Sequence, residues 1–225
     1  MRFFTYDYGN WNKYRWPYLI IKITNYQKLK NKKPYKIILI DPGVYDLGNS
    51  DFYPWENKID IDAFLDSLPK NHYFTWDYPG DMNPNYAEDF LRKSWQHAVQ
   101  YCQHSNYIVT VQFRYNNYMS FVEWFDKYNS LENASGILGI GNICKQKGCN
   151  SFIKHALPYA FKNAKANWIH IYGANLFTIP YIFKLAKLFR KTVSVDNRKW
   201  EYFVKSSERP HAFENYIKKL EEYIK

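Results

Sequence analysis

The chain has 225 residues, room for one large domain or two small ones. Hydrophobic residues make up 46% and aromatic ones 20%, which supplies a sizeable core and excludes bulk disorder. Lys and Arg number 31 against 21 Asp and Glu; the net charge of +10 favours a polyanionic partner, nucleic acid being the commonest.

The three cysteines, Cys102, Cys144 and Cys149, are too few for a disulfide framework and fit a reducing interior. Residues 1–16 hold no sustained apolar stretch, so no secretory signal is expected. No run approaches the roughly 18–20 apolar residues of a membrane helix. The expectation is one domain over residues 1–225 of a cytoplasmic protein without membrane contact.

In chain order, short β-rich apolar runs alternate with amphipathic stretches. Residues 2–6 form a weak first strand, and strands follow at 19–24, 36–41, 72–77, 107–113, 136–140, 168–172 and 192–196. Several, such as YIVTVQF and WIHIYG, are almost continuously apolar, as strands covered on both faces should be. Helices are expected at 60–68, 85–103, 118–130, 151–165, 180–190 and 211–224, with Asn83-Pro84 opening the second and Ser151 capping the fourth. Residues 26–35 (YQKLKNKKPY) are a basic stretch, either a solvated surface or a phosphate contact. Strand–helix alternation implies parallel strands with right-handed crossovers. About eight strands favour a compact TIM-type (β/α)8 barrel, with some helices short or missing at this length.

Chemistry in such a barrel sits at the C-terminal ends of its strands. Three apolar runs end in aspartate: Asp41 before Pro42-Gly43, Asp77 before Tyr78-Pro79-Gly80, and Asp196 before Asn197-Arg198. Gln112 lies near the end of another, and Gly141 and Gly173 follow two more. Each Asp alone could cap a helix or make a turn. Together they read as one pocket. One Asp can be a nucleophile at an anomeric carbon and another can accept hydrogen bonds from a base edge. Gln can read a purine with donor and acceptor together, and glycines let backbone approach a flat ligand.

Taken in order from about residue 37 to 200, these segments resemble the tRNA-guanine/DNA-guanine transglycosylase superfamily, the queuine and archaeosine tRNA-ribosyltransferase-like enzymes. IILIDPGVYDL is similar to a family strand ending Asp-Ser-Gly-Gly-Phe, with Pro42 and Val44 departing from it and Gly43 and Tyr45 kept. The resemblance implies that Asp41 is a general acid/base near the reacting sugar. FTWDYPGDMNP and VTVQF resemble the strands whose Asp and Gln hold the base, which implies that role for Asp77 and Gln112; Phe113 stands where the family usually has Gly. GILGIGN resembles Gly-Leu-Ala-Val-Gly, implying backbone contact to the base carbonyl near Gly139 and Gly141. WIHIYGAN resembles a strand ending in a glycine turn, at Gly173. VSVDNRKW resembles the Phe-Asp-Ser-x-x-Trp of the DNA-type branch, the DNA 7-deazaguanine transglycosylases, which implies that Asp196 is the nucleophile and aligns Trp200.

The implied reaction exchanges guanine in nucleic acid for a 7-deazaguanine base through a covalent glycosyl-enzyme. The zinc site of tRNA-type members uses three Cys and one His after the nucleophile. Here only His211 follows Asp196, so neither metal nor cofactor is expected, and DNA is favoured over tRNA. His97, His104, His155 and His170 read as helix-surface or packing residues. Two alternatives stand beside this: a hydrolytic base glycosylase using the same aspartates, and a non-enzymatic nucleic-acid-binding barrel.

Overall fold

The computed structural model describes residues 1–6, 17–29, 35–80, 86–143, 150–197, 205 and 208–224. Asn83-Pro84, Cys144, Cys149, Arg198 and Trp200, and residues 30–34 of the basic stretch, lie outside them. In chain order the elements are β1 (Arg2–Tyr6), β2 (Tyr18–Lys22), α1 (Ile23–Tyr26), β3 (Ile37–Asp41), α2 (Ile61–Asp66), β4 (His72–Phe74), α3 (Ala87–Tyr101), β5 (Val109–Val111), α4 (Tyr118–Ser130), β6 (Ile137–Ile140), α5 (Asn150–Asn163), β7 (Trp168–Ile171), α6 (Ile179–Leu188), β8 (Thr192–Asp196) and α7 (Arg209–Ile224).

The eight strands form one curled, all-parallel sheet in the order β4-β3-β2-β1-β8-β7-β6-β5. The edge strands β4 and β5 share no ladder and meet at one parallel bridge between Phe74 and Tyr107. There Phe74 N–H donates to the Asn106 carbonyl and Ile108 N–H to the Phe74 carbonyl, both at 2.8 Å. The architecture is an α/β fold compatible with a TIM-type barrel. Among the described residues, no helix is long and apolar enough to cross a membrane.

Strand alternation sorts the side chains. Outward residues such as Leu19, Ile38, Phe74, Val109, Leu138, Ile169 and Val193 join the large core under the helices. Inward ones build a second cluster of Phe4, Ile20, Ile37, Leu39, Ile108 and Ile137, with Tyr18, Tyr73, Trp168 and Tyr172 packed on it. Local chemistry fixes the helices between. Asp60 caps α2 by accepting from Ala63 N–H at 3.1 Å, and Asn117 caps α4 by accepting from Ser120 N–H at 2.8 Å. Helix α5 begins at Asn150, so Ser151 lies inside it and is not its cap. Pro158 inside α5 has no N–H for the Lys154 carbonyl, and Tyr181 O–H on α6 reaches that oxygen at 3.3 Å.

The regular strands are shorter than the apolar runs. Sequence extends β4 to Asp77 and β5 from Tyr107 to Phe113, whereas the ladders cover His72–Phe74 and Val109–Val111. The residues beyond keep the inward–outward alternation past the regular ladders, with Thr75 N–H still donating to the Ile40 carbonyl at 3.1 Å, and they line the mouth.

Candidate active site at the C-terminal mouth of the sheet

Counting inward positions upward, the last on strands β2 to β8 are Lys22 on β2, Asp41 on β3, Asp77 beyond β4, Gln112 beyond β5, Gly141 beyond β6, Tyr172 beyond β7 and Asp196 on β8. Gln112, Gly141, Tyr172 and Asp196 continue by one residue the paired rows of β5 to β8, and so stand side by side. Asp41 stands opposite Lys22 in the β2–β3 ladder. The three aspartates that the sequence marks therefore share the C-terminal end of one parallel sheet.

Asp41 Oδ1 accepts from Gly43 N–H at 2.6 Å. Gly43 has a φ of +89°, and a Cβ there would lie 2.9 Å from Asp46 Oδ2, so this turn requires glycine. Loss of solvent pushes the Asp41 carboxyl up from 3.8 to about 7, and the charges of Asp77 and Asp196 add to this. The Gly43 hydrogen bond and the Lys22 ammonium oppose it. Lys22 itself bonds Asp46 Oδ1 at 2.5 Å.

Asp77 is buried. Its Oδ1 is 3.1 Å from Thr75 Oγ1, and its Oδ2 accepts from Gln112 Nε2. Its backbone carbonyl accepts from the Tyr53 hydroxyl at 2.7 Å, which anchors the segment to the aromatic stack of Tyr53 and Trp55. Burial pushes Asp77 up to about 6, against the pull of the Thr75 and Gln112 hydrogen bonds.

Gln112 Oε1 is buried without a hydrogen-bond partner. An orphaned buried acceptor costs about 1–3 kcal/mol, so a donor arriving at the mouth would be stabilised there. Gly141 makes room for this amide, since a Cβ at Gly141 would overlap it. Gly139 does the same for Thr110 Oγ1, and a Cβ there would also lie 2.9 Å from Tyr172 Cε2. Sequence reasoning gives the backbone near Gly139 and Gly141 a contact to the base carbonyl; where a Cβ would stand at these glycines, the chain's own Thr110, Tyr172 and Gln112 side chains lie.

Asp196 is 4% exposed. Gly173, at φ +70°, turns its N–H onto Asp196 Oδ1 at 3.0 Å. Asp196 Oδ2 has no hydrogen-bond partner among the described residues. His170 Nε2 lies 3.3 Å from Oδ1. His170 is fully buried on β7 and faces inward at this carboxylate, which places it in the site and corrects its sequence reading as a packing residue. Alternation in WIHIY puts Trp168, His170 and Tyr172 on one face of β7, and the pairing with β6 and β8 shows that this face is the inward one. Lys22 was missed because the apolar run continues into Ile23, which folds instead into the short turn of α1. The other histidines serve packing or the surface. His97 stacks on Trp76 at 3.7 Å, and burial lowers it to about 4; His104 reaches Asp66 at 3.1 Å; His155 is exposed.

Among the described residues no cluster of three or more His, Cys, Asp or Glu side chains is arranged to hold a metal ion. No protein-family model matches the chain, and a search of curated proteins finds no match.

Proposed function

We propose that the chain is a base-exchange transglycosylase on a TIM-type (β/α)8 barrel. It would replace guanine in nucleic acid, DNA in preference to tRNA, by a 7-deazaguanine base. The observation that carries the reading is the unequal treatment of the two oxygens of Asp196: Oδ1 is held by Gly173, and Oδ2 has no hydrogen-bond partner among the described residues. A carboxylate held through one oxygen, with the other carrying no such bond, suits nucleophilic attack.

In this mechanism Oδ2 bonds to C1′ of the target nucleoside as the C1′–N9 bond breaks, and guanine leaves with the electron pair. Asp41, raised to about 7, is matched to give a proton to the departing base and to take one from the base that replaces it. Asp77 and Gln112 meet the base edge, where Gln112 Oε1 gains the donor it lacks. The incoming base then displaces Asp196 from C1′. A base inside a duplex must leave the stack to reach this depth, and the net charge of +10 suits a polyanionic substrate.

The test is incubation with guanine-containing DNA, and separately tRNA, in the presence of labelled guanine or a labelled 7-deazaguanine base. Label entering DNA is the expected result. Free guanine with an abasic site would replace exchange by hydrolysis. Binding of either polymer without chemistry would reduce the chain to a nucleic-acid-binding barrel.

A further inference from the structure

Beneath Asp196 a line of polar side chains runs down the inside of the sheet. Trp168 Nε1 donates to Ser194 Oγ at 2.6 Å, and His170 Nδ1 lies 2.8 Å from the same oxygen. His170 Nε2 then faces Asp196 Oδ1 at 3.3 Å. Both His170 and Ser194 are fully buried. The imidazole is clamped edge-on by Phe4, with ring centroids 5.6 Å apart, and by Tyr172 at 4.3 Å. A neighbouring stretch of the interior is filled by Phe4, Ile20, Leu39 and Ile137, so apolar side chains suffice for packing there. A polar line at this depth is costly unless its hydrogen bonds are satisfied.

For an uncharged imidazole the lower end sets the direction of the line. An indole N–H can only donate, so Ser194 Oγ accepts from Trp168. The one hydroxyl proton of Ser194 is then free for His170 Nδ1, which leaves the imidazole proton on Nε2, facing Asp196. The reverse arrangement would aim a nitrogen lone pair at a carboxylate oxygen and leave the Ser194 proton without that acceptor.

We propose that His170 is a positioning residue for Asp196. Trp168 and Ser194 hold it in the neutral Nε2–H tautomer, and that N–H joins Gly173 N–H on Oδ1, so that Oδ2 alone is presented to the mouth. The contact is longer and less aligned than a formed hydrogen bond, and such bonds tighten as a transition state is reached. Its catalytic consequence rests on the reading of Asp196 as the nucleophile. When the Oδ2–C1′ bond forms, the donor keeps the carboxylate in its attacking orientation. When that bond breaks and Asp196 departs, the negative charge returning to Oδ1 meets a donor already in place. No proton is transferred along the line in either half-reaction.

Two readouts test this, one of them independent of activity. Nitrogen-15 NMR of histidine-labelled protein reports the tautomer of His170, assigned by loss of its signals in His170→Gln. The expected pattern is a neutral ring protonated at Nε2, shifting toward a mixture of tautomers in Ser194→Ala. A ring protonated at Nδ1, or a pattern unmoved by Ser194→Ala, overturns the proposal. In the exchange assay, His170→Asn should lower kcat about 100-fold with KM for the base unchanged. His170→Gln, whose amide nitrogen reaches toward the Nε2 position, should restore most of that loss. Equal losses in the two variants, or a change confined to KM, also overturn it. A wild-type chain that exchanges no base in either polymer would end the exchange reading and leave the tautomer result to decide the relay by itself.

Discussion

On the β3–β4 side of the mouth, burial raises the carboxyls of both Asp41 and Asp77, and the charge of Asp77 raises Asp41 further. On the β7–β8 side, Asp196 meets Gly173 N–H on one oxygen and an imidazole beneath it. The same side chain at the end of the same kind of strand is thus given two environments. One suits a group that gives and takes a proton near neutrality; the other suits a group held still for bond formation. Environment, not residue type, distinguishes these carboxyl groups.

Gly141 lies between the two sides, where it seats the Gln112 amide that connects the Asp77 side to the row ending in Asp196. Gly141→Ala should displace that amide, break its bond to Asp77 and lower kcat/KM for exchange about 10–100-fold, with circular dichroism unchanged. Unchanged kcat/KM would remove Gln112 from base recognition.

Asp41 offers the smaller effect and a distinct sign. Its carboxyl is raised from 3.8 to about 7 in the folded chain. Between about pH 4 and pH 7 the folded state therefore binds more protons than the unfolded one, and stability falls as pH rises through that window. Asp41→Asn should raise the free energy of unfolding by about 2 kcal/mol at pH 8 and leave it nearly unchanged at pH 4. Denaturant titrations at the two values check this. Destabilisation at pH 8 would mean that Asp41 is held as a favourable charge and that the two sides of the mouth do not differ as described.

Much of this arrangement is legible in the sequence because a strand buried on both faces must stop being apolar where it leaves the layers. Asp41, Asp77 and Asp196 mark those points, and the parallel sheet brings them to one end. The lengths of β4 and β5 were not legible, since apolar alternation persists past the last strand residues, Phe74 and Val111. His170 was obscured for a related reason. In a strand covered on both faces, the inward and outward sides look alike, and only the pairing of His170 with Ser194 and Gly139 fixes which way it points. The glycines were legible as sites of close approach, but the approaching groups at Gly139 and Gly141 are side chains of the chain itself.

The most direct measurement of the central claim is the intact mass of the protein quenched under denaturing conditions after mixing with a guanine-containing DNA oligonucleotide. The account predicts a covalent adduct equal to the protein plus the oligonucleotide less guanine. That adduct should be absent in Asp196→Asn, because an amide is a far poorer nucleophile than a carboxylate. An adduct that survives Asp196→Asn at the same yield would place the nucleophile elsewhere, and a wild-type chain that forms none on DNA or tRNA would contradict the covalent mechanism.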